Sequence, residues 1–316
     1  MSVGKSAGEL AADELAADKG GHPHLPTPDV DQALALARRL GLHRLDAHWL
    51  LAHLLKTTRT WLIAHGDAPL PQPIAQAFAA ACQRRADGEP LAYLLGEQGF
   101  HGLRLRVTPD VLVPRADTET LVDWALALLP TLANPHPQVL DLGTGSGAIA
   151  LAVAHRHGAA HVTATDISPA ALAVAQGNAQ QLGLALDWAC GSWWQAVHAD
   201  DPGRRFDLVL CNPPYIAGDD PHLPALRHEP LLALTPGGDG LGALTQVIAG
   251  ASAHLLPGGW LLLEHGWDQA TAVATLLQAA GFQSISSRLD SAGRPRCTGG
   301  QCAGAAAAAP ARMSKL

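Results

Sequence analysis

A chain of 316 residues with 48% hydrophobic side chains has material for one large domain or two ordinary ones, each with a core. Its formal net charge of −7 argues against passive attraction to nucleic acid or an anionic membrane. Basic residues come in short pairs such as Arg38-Arg39, Arg84-Arg85 and Arg204-Arg205, which read as solvated surface.

The five cysteines, Cys82, Cys190, Cys211, Cys297 and Cys302, are odd in number and form no Cys-x-x-Cys pair. Neither a disulfide framework nor a metal site is expected, and Cys211 reads as a buried thiol rather than a nucleophile. The opening stretch "MSVGKSAGELAADELAADKGG" lacks the apolar core of a signal peptide. No apolar run approaches the ~18 residues of a membrane span. A cytoplasmic protein is expected.

Residues 1–27 read as a mobile, Ala- and Gly-rich tail. Residues 28–92 read as a small helical domain. Its first helix carries Ala33, Leu34, Leu36, Ala37 and Leu40 on one stripe and stops at Gly41. The second repeats the design through Leu45, Trp49, Leu50, His53 and Leu54, with His53 as an interior or boundary histidine. A third starts near Pro71 or Pro73 and ends before Gly88. Residues 93–113 then change character: "LRLRVT" alternates apolar and charged residues, as a half-exposed strand does, and a hairpin linker is expected. After Pro114 a helix returns, with Asp117 as its cap and Glu119 in its acidic first turn.

From Pro137 on, the short apolar runs "QVLDLG", "HVTATDIS", "LDWACGS", "FDLVLCN" and "GGWLLLEHG" alternate with helical stretches. That alternation predicts an α/β fold with a mostly parallel sheet and right-handed crossovers, over residues 114–302. Residues 303–316 are a low-complexity tail.

Two turns in this region carry chemistry. "VLDLGTGSGAIALAVA" is a strand, a glycine-rich turn and a helix, with Gly143, Gly145 and Gly147 flanking Thr144 and Ser146. Glycines let the backbone turn tightly and approach a ligand. Asp141 ends the strand, where a cationic amino group could sit, and Asp166 ends the next one, where a carboxylate would grip ribose hydroxyls. The loop is one residue shorter than the dinucleotide fingerprint, and no Gly-Lys-Ser/Thr follows to make a P-loop. A carboxylate at its mouth suits the ammonium of S-adenosylmethionine better than a pyrophosphate, so that cofactor is expected.

The second turn is "CNPPY". Asn212 leaves an apolar strand at its carboxyl end, the edge where open α/β sheets bind ligands, and Pro213, Pro214 and Tyr215 follow. The lone pair of an amide nitrogen is delocalised, and ionising a proton of pKa roughly 15 near pH 7 costs about 11 kcal/mol. Holding both N–H bonds instead, on the Asn212 side-chain oxygen and the Pro213 carbonyl, aims the nitrogen at a sulfonium methyl. Tyr215 can lie on the flat substrate group.

The chain resembles the peptide chain release factor N5-glutamine methyltransferases from about Val30 to Gly300. Besides the two turns, the resemblance rests on "RRADGEPLAYLLGEQGF", "VLVPRADTETLV", "GSWW", "EPLLALTPGGDGL", "LLPGGWLLLEHGWDQ" and "AGRPRCTGG". It implies a Rossmann-like class I methyltransferase sheet of seven strands, joined by a β-hairpin to a helical domain that helps seat the substrate. It puts the cofactor loop on Gly143 to Gly147, the ribose acid on Asp166 and an aromatic residue near the adenine on Trp193, with Trp194 beside it. Asn212, Pro213, Pro214 and Tyr215 hold the substrate amide, with Asn212 also near the cofactor. The implied substrate is the glutamine of the Gly-Gly-Gln loop of class 1 release factors. Ala116 stands where the family usually has a second proline, and "HADDPGRR" makes a longer, more polar loop. Gly299-Gly300-Gln301 imitates the substrate by coincidence.

Asn-Pro-Pro-Tyr is shared with adenine-N6 methyltransferases, so nucleic-acid methylation is the alternative, against which the acidic balance counts. A non-catalytic cofactor-binding scaffold is the other.

Overall fold

The apolar runs after Pro137 close into one sheet, and its strand order is what creates the site. The computed structural model describes residues 27–198 and 203–303. The expected tails lie outside these, apart from Thr27 and Ala303, and so does the middle of the "HADDPGRR" loop. The chain divides into two units, one ending at Asp87 and the other beginning at Gly88.

The first unit is helical: α1 (Val30–Arg39), α2 (Arg44–Leu54), α3 (Arg59–Ala64) and α4 (Gln72–Ala86). Asp29 closes a capping box on α1, accepting from Gln32 N at 2.7 Å while Gln32 Oε1 accepts from Asp29 N at 3.3 Å. Gly41 takes the left-handed conformation that ends the helix, at φ +82°. The α2 face differs from the expected one. Leu45 and Trp49 are 44% and 45% exposed and His53 is exposed, whereas Ala47, His48, Leu50, Leu51 and Ala52 are buried. Helix α2 packs on α1, α3 and α4, so its buried stripe is wider than, and rotated from, a single 3.6-residue face. The interior histidine is His48, with Nδ1 2.7 Å from Arg44 O.

The second unit opens with α5 (Leu91–Leu95) and the antiparallel hairpin β1 (Glu97–Phe100) and β2 (Leu103–Arg106). In β2 the leucines are buried and the arginines exposed, as the alternation predicts. A 3-10 turn over Ala116–Thr118 leads into α6 (Glu119–Leu128). Asp117 is not the cap of this helix; its carboxylate meets Arg296 at 3.0 Å, because a cation from the far strand outcompetes the helix end. Then follow β3 (Gln138–Leu142), α7 (Ala148–Arg156), β4 (His161–Asp166), α8 (Pro169–Leu182), β5 (Asp187–Cys190), α9 (Trp194–His198) and β6 (Phe206–Cys211). The unit ends with α10 (Leu231–Leu234), α11 (Gly242–His254), β7 (Leu255–Glu264), α12 (Ala270–Ala279), β8 (Phe282–Leu289) and β9 (Pro295–Cys302).

The seven strands run in the order β5-β4-β3-β6-β7-β9-β8, parallel except for β9, which is antiparallel to both neighbours. This is the class I methyltransferase fold. Side chains alternate between two cores. Val139, Leu208, Leu210 and Leu262 face one, with α6 and α7; Leu140, Leu142, Val209, Leu261 and Leu263 face the other, with α11 and α12. Gly299-Gly300-Gln301 lies inside β9 rather than in a Gly-rich tail. A Cβ on Gly299 would stand 2.5 Å from Leu262 Cδ2, and Gln301 Nε2 donates to Gly258 O at 2.9 Å, so packing explains this triplet.

Asn178 of α8 joins the hairpin to the glycine loop. Its Oδ1 accepts from Arg106 N at 2.7 Å, and its Nδ2 donates to Arg106 O at 3.0 Å and Ser146 O at 2.9 Å. Replacing it strands buried partners, so Asn178→Ala is expected to lower stability by about 2–3 kcal/mol. A shift of the urea midpoint at constant slope checks this.

Candidate active site

The sheet order reverses between β3 and β6, and a crevice opens outside the carboxyl ends of those strands. Leu142 pairs with Thr165 on one side and Cys211 on the other, so Gly143, Asp166 and Asn212 leave the sheet in one row.

Gly143, Gly145 and Gly147 adopt φ of +74°, +56° and +84°, which side-chain-bearing residues rarely adopt. The N–H groups of Gly143 and Thr144 donate to Thr165 O at 2.9 and 2.8 Å. Gly147 also permits close packing: a Cβ there would stand 2.8 Å from Leu151 Cδ1 and 3.2 Å from Ala175 Cβ. Asp166 closes the loop from the side, Oδ2 accepting from Gly145 N and Oδ1 from Ser168 N, both at 2.9 Å. Burial holds its carboxyl above the ordinary range. A cavity of about 350 Å³ lies over this loop, within the usual size of a small-molecule site, with Asp166, Trp193 and Asn212 on its wall.

Asp141 is not at the mouth of the loop. It is fully buried and absent from the cavity wall, accepting from Thr144 Oγ1 at 2.7 Å and from Ala150 N at 3.2 Å. It is turned under the start of α7, where unpaired helix N–H groups attract a carboxylate. Its Oδ1 has no hydrogen-bond partner, and burial pushes its pKa up to about 7.

Trp193 and Trp194 separate cleanly. Trp193 lies on the cavity wall beside Gly143. Trp194 is buried, stacks on His254 at 4.5 Å between ring centroids, and donates Nε1 to Val247 O at 3.0 Å.

At the second turn, Asn212 Nδ2 donates to Thr118 Oγ1 at 3.2 Å. Asn212 lines both the cofactor-sized cavity and a second cavity beside it, which Pro213, Tyr215 and Glu264 also line. Pro214 faces the first cavity, not the second. Tyr215 Oη donates to Glu264 Oε1 at 3.1 Å, and the Tyr215 carbonyl accepts from Gln269 Nε2 at 3.0 Å.

Sequence comparison decides between the methyltransferases that share such a turn. The chain is 51% identical over 262 residues to the release factor glutamine methyltransferase of Bordetella pertussis, covering 82% of this chain and 95% of that one. It is 48% identical over 283 residues to the namesake enzyme of Xylella fastidiosa strain Temecula1, covering 89% of this chain and all of that one. The chain belongs to the release factor glutamine methyltransferase family. Two family models match it: the PrmC N-terminal domain at residues 31–96 and the methyltransferase small domain at residues 119–266.

Within this family's shared stretches lie side chains to which the sequence alone gave no role. Thr118 and Arg115 come from "VLVPRADTETLV", Glu229 from "EPLLALTPGGDGL" and Glu264 from the Glu-His-Gly strand end. Glu264 is buried with Oε2 unpartnered. Burial pushes its pKa up to about 7 against the pull of the Thr118 and Tyr215 hydroxyls and Arg296, and Tyr215 is raised by burial and by Glu264.

Between the ordinary carboxylate range and about pH 7, Asp141 and Glu264 therefore hold protons in the folded protein that the unfolded chain has released. Stability from these two groups is greatest below the ordinary carboxylate range and falls as pH rises to about 7. Urea unfolding of the ligand-free protein from pH 4.5 to 8 is expected to show a flatter pH profile in Asp141→Asn than in the parent up to about pH 7. An unchanged slope would mean that Asp141 is already ionised.

Proposed function

We propose that this protein transfers the methyl group of S-adenosylmethionine to the side-chain amide nitrogen of a glutamine in the Gly-Gly-Gln loop of class 1 release factors. The observation that carries this reading is the position of Asn212, which lines both the glycine-loop cavity and the adjoining one. The related enzymes, named as release factor glutamine methyltransferases, point to the release factor as substrate. The loop also fits the cofactor's charge: Asp166 lies on the wall and Asp141 beneath it has an oxygen uncompensated. A carboxylate on the wall suits a sulfonium and an ammonium better than a pyrophosphate, and a cation bound above Asp141 would favour its ionised form.

When bound, S-adenosylmethionine supplies a methyl group activated by a positive sulfur. The protein's part is positioning. Gly143 to Gly147 would give the backbone cradle, Asp166 would take the ribose hydroxyls and Trp193 would hold the adenine. The Asn212 amide group is turned by Thr118: because Nδ2 donates to that hydroxyl, Oδ1 is left to accept a substrate N–H. The Pro213 carbonyl accepts the other. Pro214 keeps the turn rigid, and Tyr215, fixed at both its hydroxyl and its carbonyl, walls the amide pocket. Such placement is worth up to roughly 7–11 kcal/mol in favourable cases, comparable to the cost of ionising the amide that it avoids.

A release factor as partner would put the reaction with the translation machinery, in the cytoplasm. Among the described residues, no helix is long and apolar enough to cross a membrane. No binding of nucleic acid is needed.

Incubation with a purified class 1 release factor and S-adenosylmethionine should add about 14 Da to the Gly-Gly-Gln peptide, read by mass spectrometry. An unmodified peptide, or methyl transfer to DNA or RNA instead, would overturn the assignment. Asn212→Ala should keep cofactor binding within a few-fold while turnover falls roughly hundredfold or more, the usual loss for one group aimed at a transition state.

A further inference from the structure

The cavity over the glycine loop has a cation on its wall that neither the sequence nor the family comparison gives a task. Among the described residues lining that cavity, Arg115 is the single positive side chain, and it also lines the neighbouring amide pocket. The residues common to both cavities, Leu112, Arg115, Asn212 and Ala233, mark the place where cofactor and substrate meet.

Arg115 is held, yet not consumed. Its Nη2 donates to Glu229 Oε1, and the Glu229 side chain is 2% exposed, while 41% of the Arg115 side chain is open. Glu229 Oε2 accepts from Val113 N at 3.1 Å, so one buried carboxylate braces both the strap carrying Arg115 and its guanidinium. A guanidinium has five N–H donors in a rigid fork, and carboxylates are its best-matched partners. With one donor spent on Glu229, others remain for a ligand.

We propose that Arg115 binds the α-carboxylate of the cofactor's methionine chain. The inference rests on the cofactor reading given above. In S-adenosylmethionine the carboxylate is joined to the sulfur through three carbons, and the sulfur must stand close to Asn212 for its methyl to reach the substrate amide. The carboxylate therefore falls near the junction of the two cavities, where Arg115 lies. Among the described residues on that cavity's wall, no other cation is available to a carboxylate there. Arg115 binds the cofactor's tail, and through it fixes the direction in which the methyl points.

The test uses two ligands and needs no turnover. S-adenosylhomocysteine carries the carboxylate; 5′-methylthioadenosine has the same nucleoside and sulfur but lacks the amino-acid end. Calorimetric titration of Arg115→Gln is expected to show at least a tenfold loss of affinity for S-adenosylhomocysteine and little change for 5′-methylthioadenosine. Arg115→Lys should recover part of the loss. Since Arg115→Gln leaves Glu229 buried without its cation, the double variant Arg115→Gln/Glu229→Gln is measured beside it and should show the same selective loss. Equal weakening of both ligands in both variants, or no weakening of either, would overturn the proposal. So would an unchanged S-adenosylhomocysteine affinity with weakened binding of the release factor in the same calorimeter, which would move Arg115 to the protein-substrate side. If the unaltered protein bound neither ligand, the cofactor reading itself would fall, and this inference with it.

Discussion

The parallel pairing of β3 with β6 is the constraint on which the site depends. The chain leaves β3 to build β4 and β5 on one side and returns to build β6 and β7 on the other. Crossover helices therefore diverge at this point, and the gap between two strand ends stays open. The register Leu142–Cys211 brings Gly143 and Asn212 out side by side. A slip of one residue would turn Val209 and Leu210 to each other's faces and would undo both cores along with the site. The hydrophobic contacts that fix the fold thus also fix the distance between the cofactor loop and the amide turn.

Around that row, buried acids set directions that apolar packing cannot set. Asp141 takes the Thr144 hydroxyl and a helix N–H, so the glycine turn is anchored from below. Asp166 ties Gly145 from the side, and Glu264 holds the Tyr215 hydroxyl beneath the amide turn. Each of these carboxyls is raised by burial, and Asp141 and Glu264 each retain an oxygen without a partner. Uncompensated polar groups of this kind weaken the fold and concentrate at functional sites. Glu229, with both oxygens partnered, sets the direction of Arg115.

Most of the architecture was legible from the sequence because the strands are short, apolar and separated by helical stretches of different period. The errors are informative about what periodicity omits. On α2 the stripe through Leu45, Trp49 and His53 is exposed and His48 is interior, since neighbours on several sides choose the buried face. Asp117 stands where a cap belongs and instead pairs with Arg296, 179 positions away in sequence, a contact that no local rule contains. Trp193 and Trp194 are adjacent and chemically identical in the sequence; the left-handed backbone at Trp193, φ +45°, sends one to the cavity and lets the other into the core.

The sequence by itself determined the pattern of strands and helices, the glycine turn with its two acids, the Asn-Pro-Pro-Tyr turn and the family they mark. These are local features, written in spacing and in residue types that permit few backbone conformations. Tertiary structure alone decided that Asp141 lies beneath the loop rather than at its mouth, that Thr118 turns the Asn212 amide, and that Arg115, held by the buried Glu229, lines both cavities. The reason is burial and direction: whether a carboxylate faces a ligand or a helix end depends on which side of a packed sheet its residue occupies, and partners supplied from distant elements settle that.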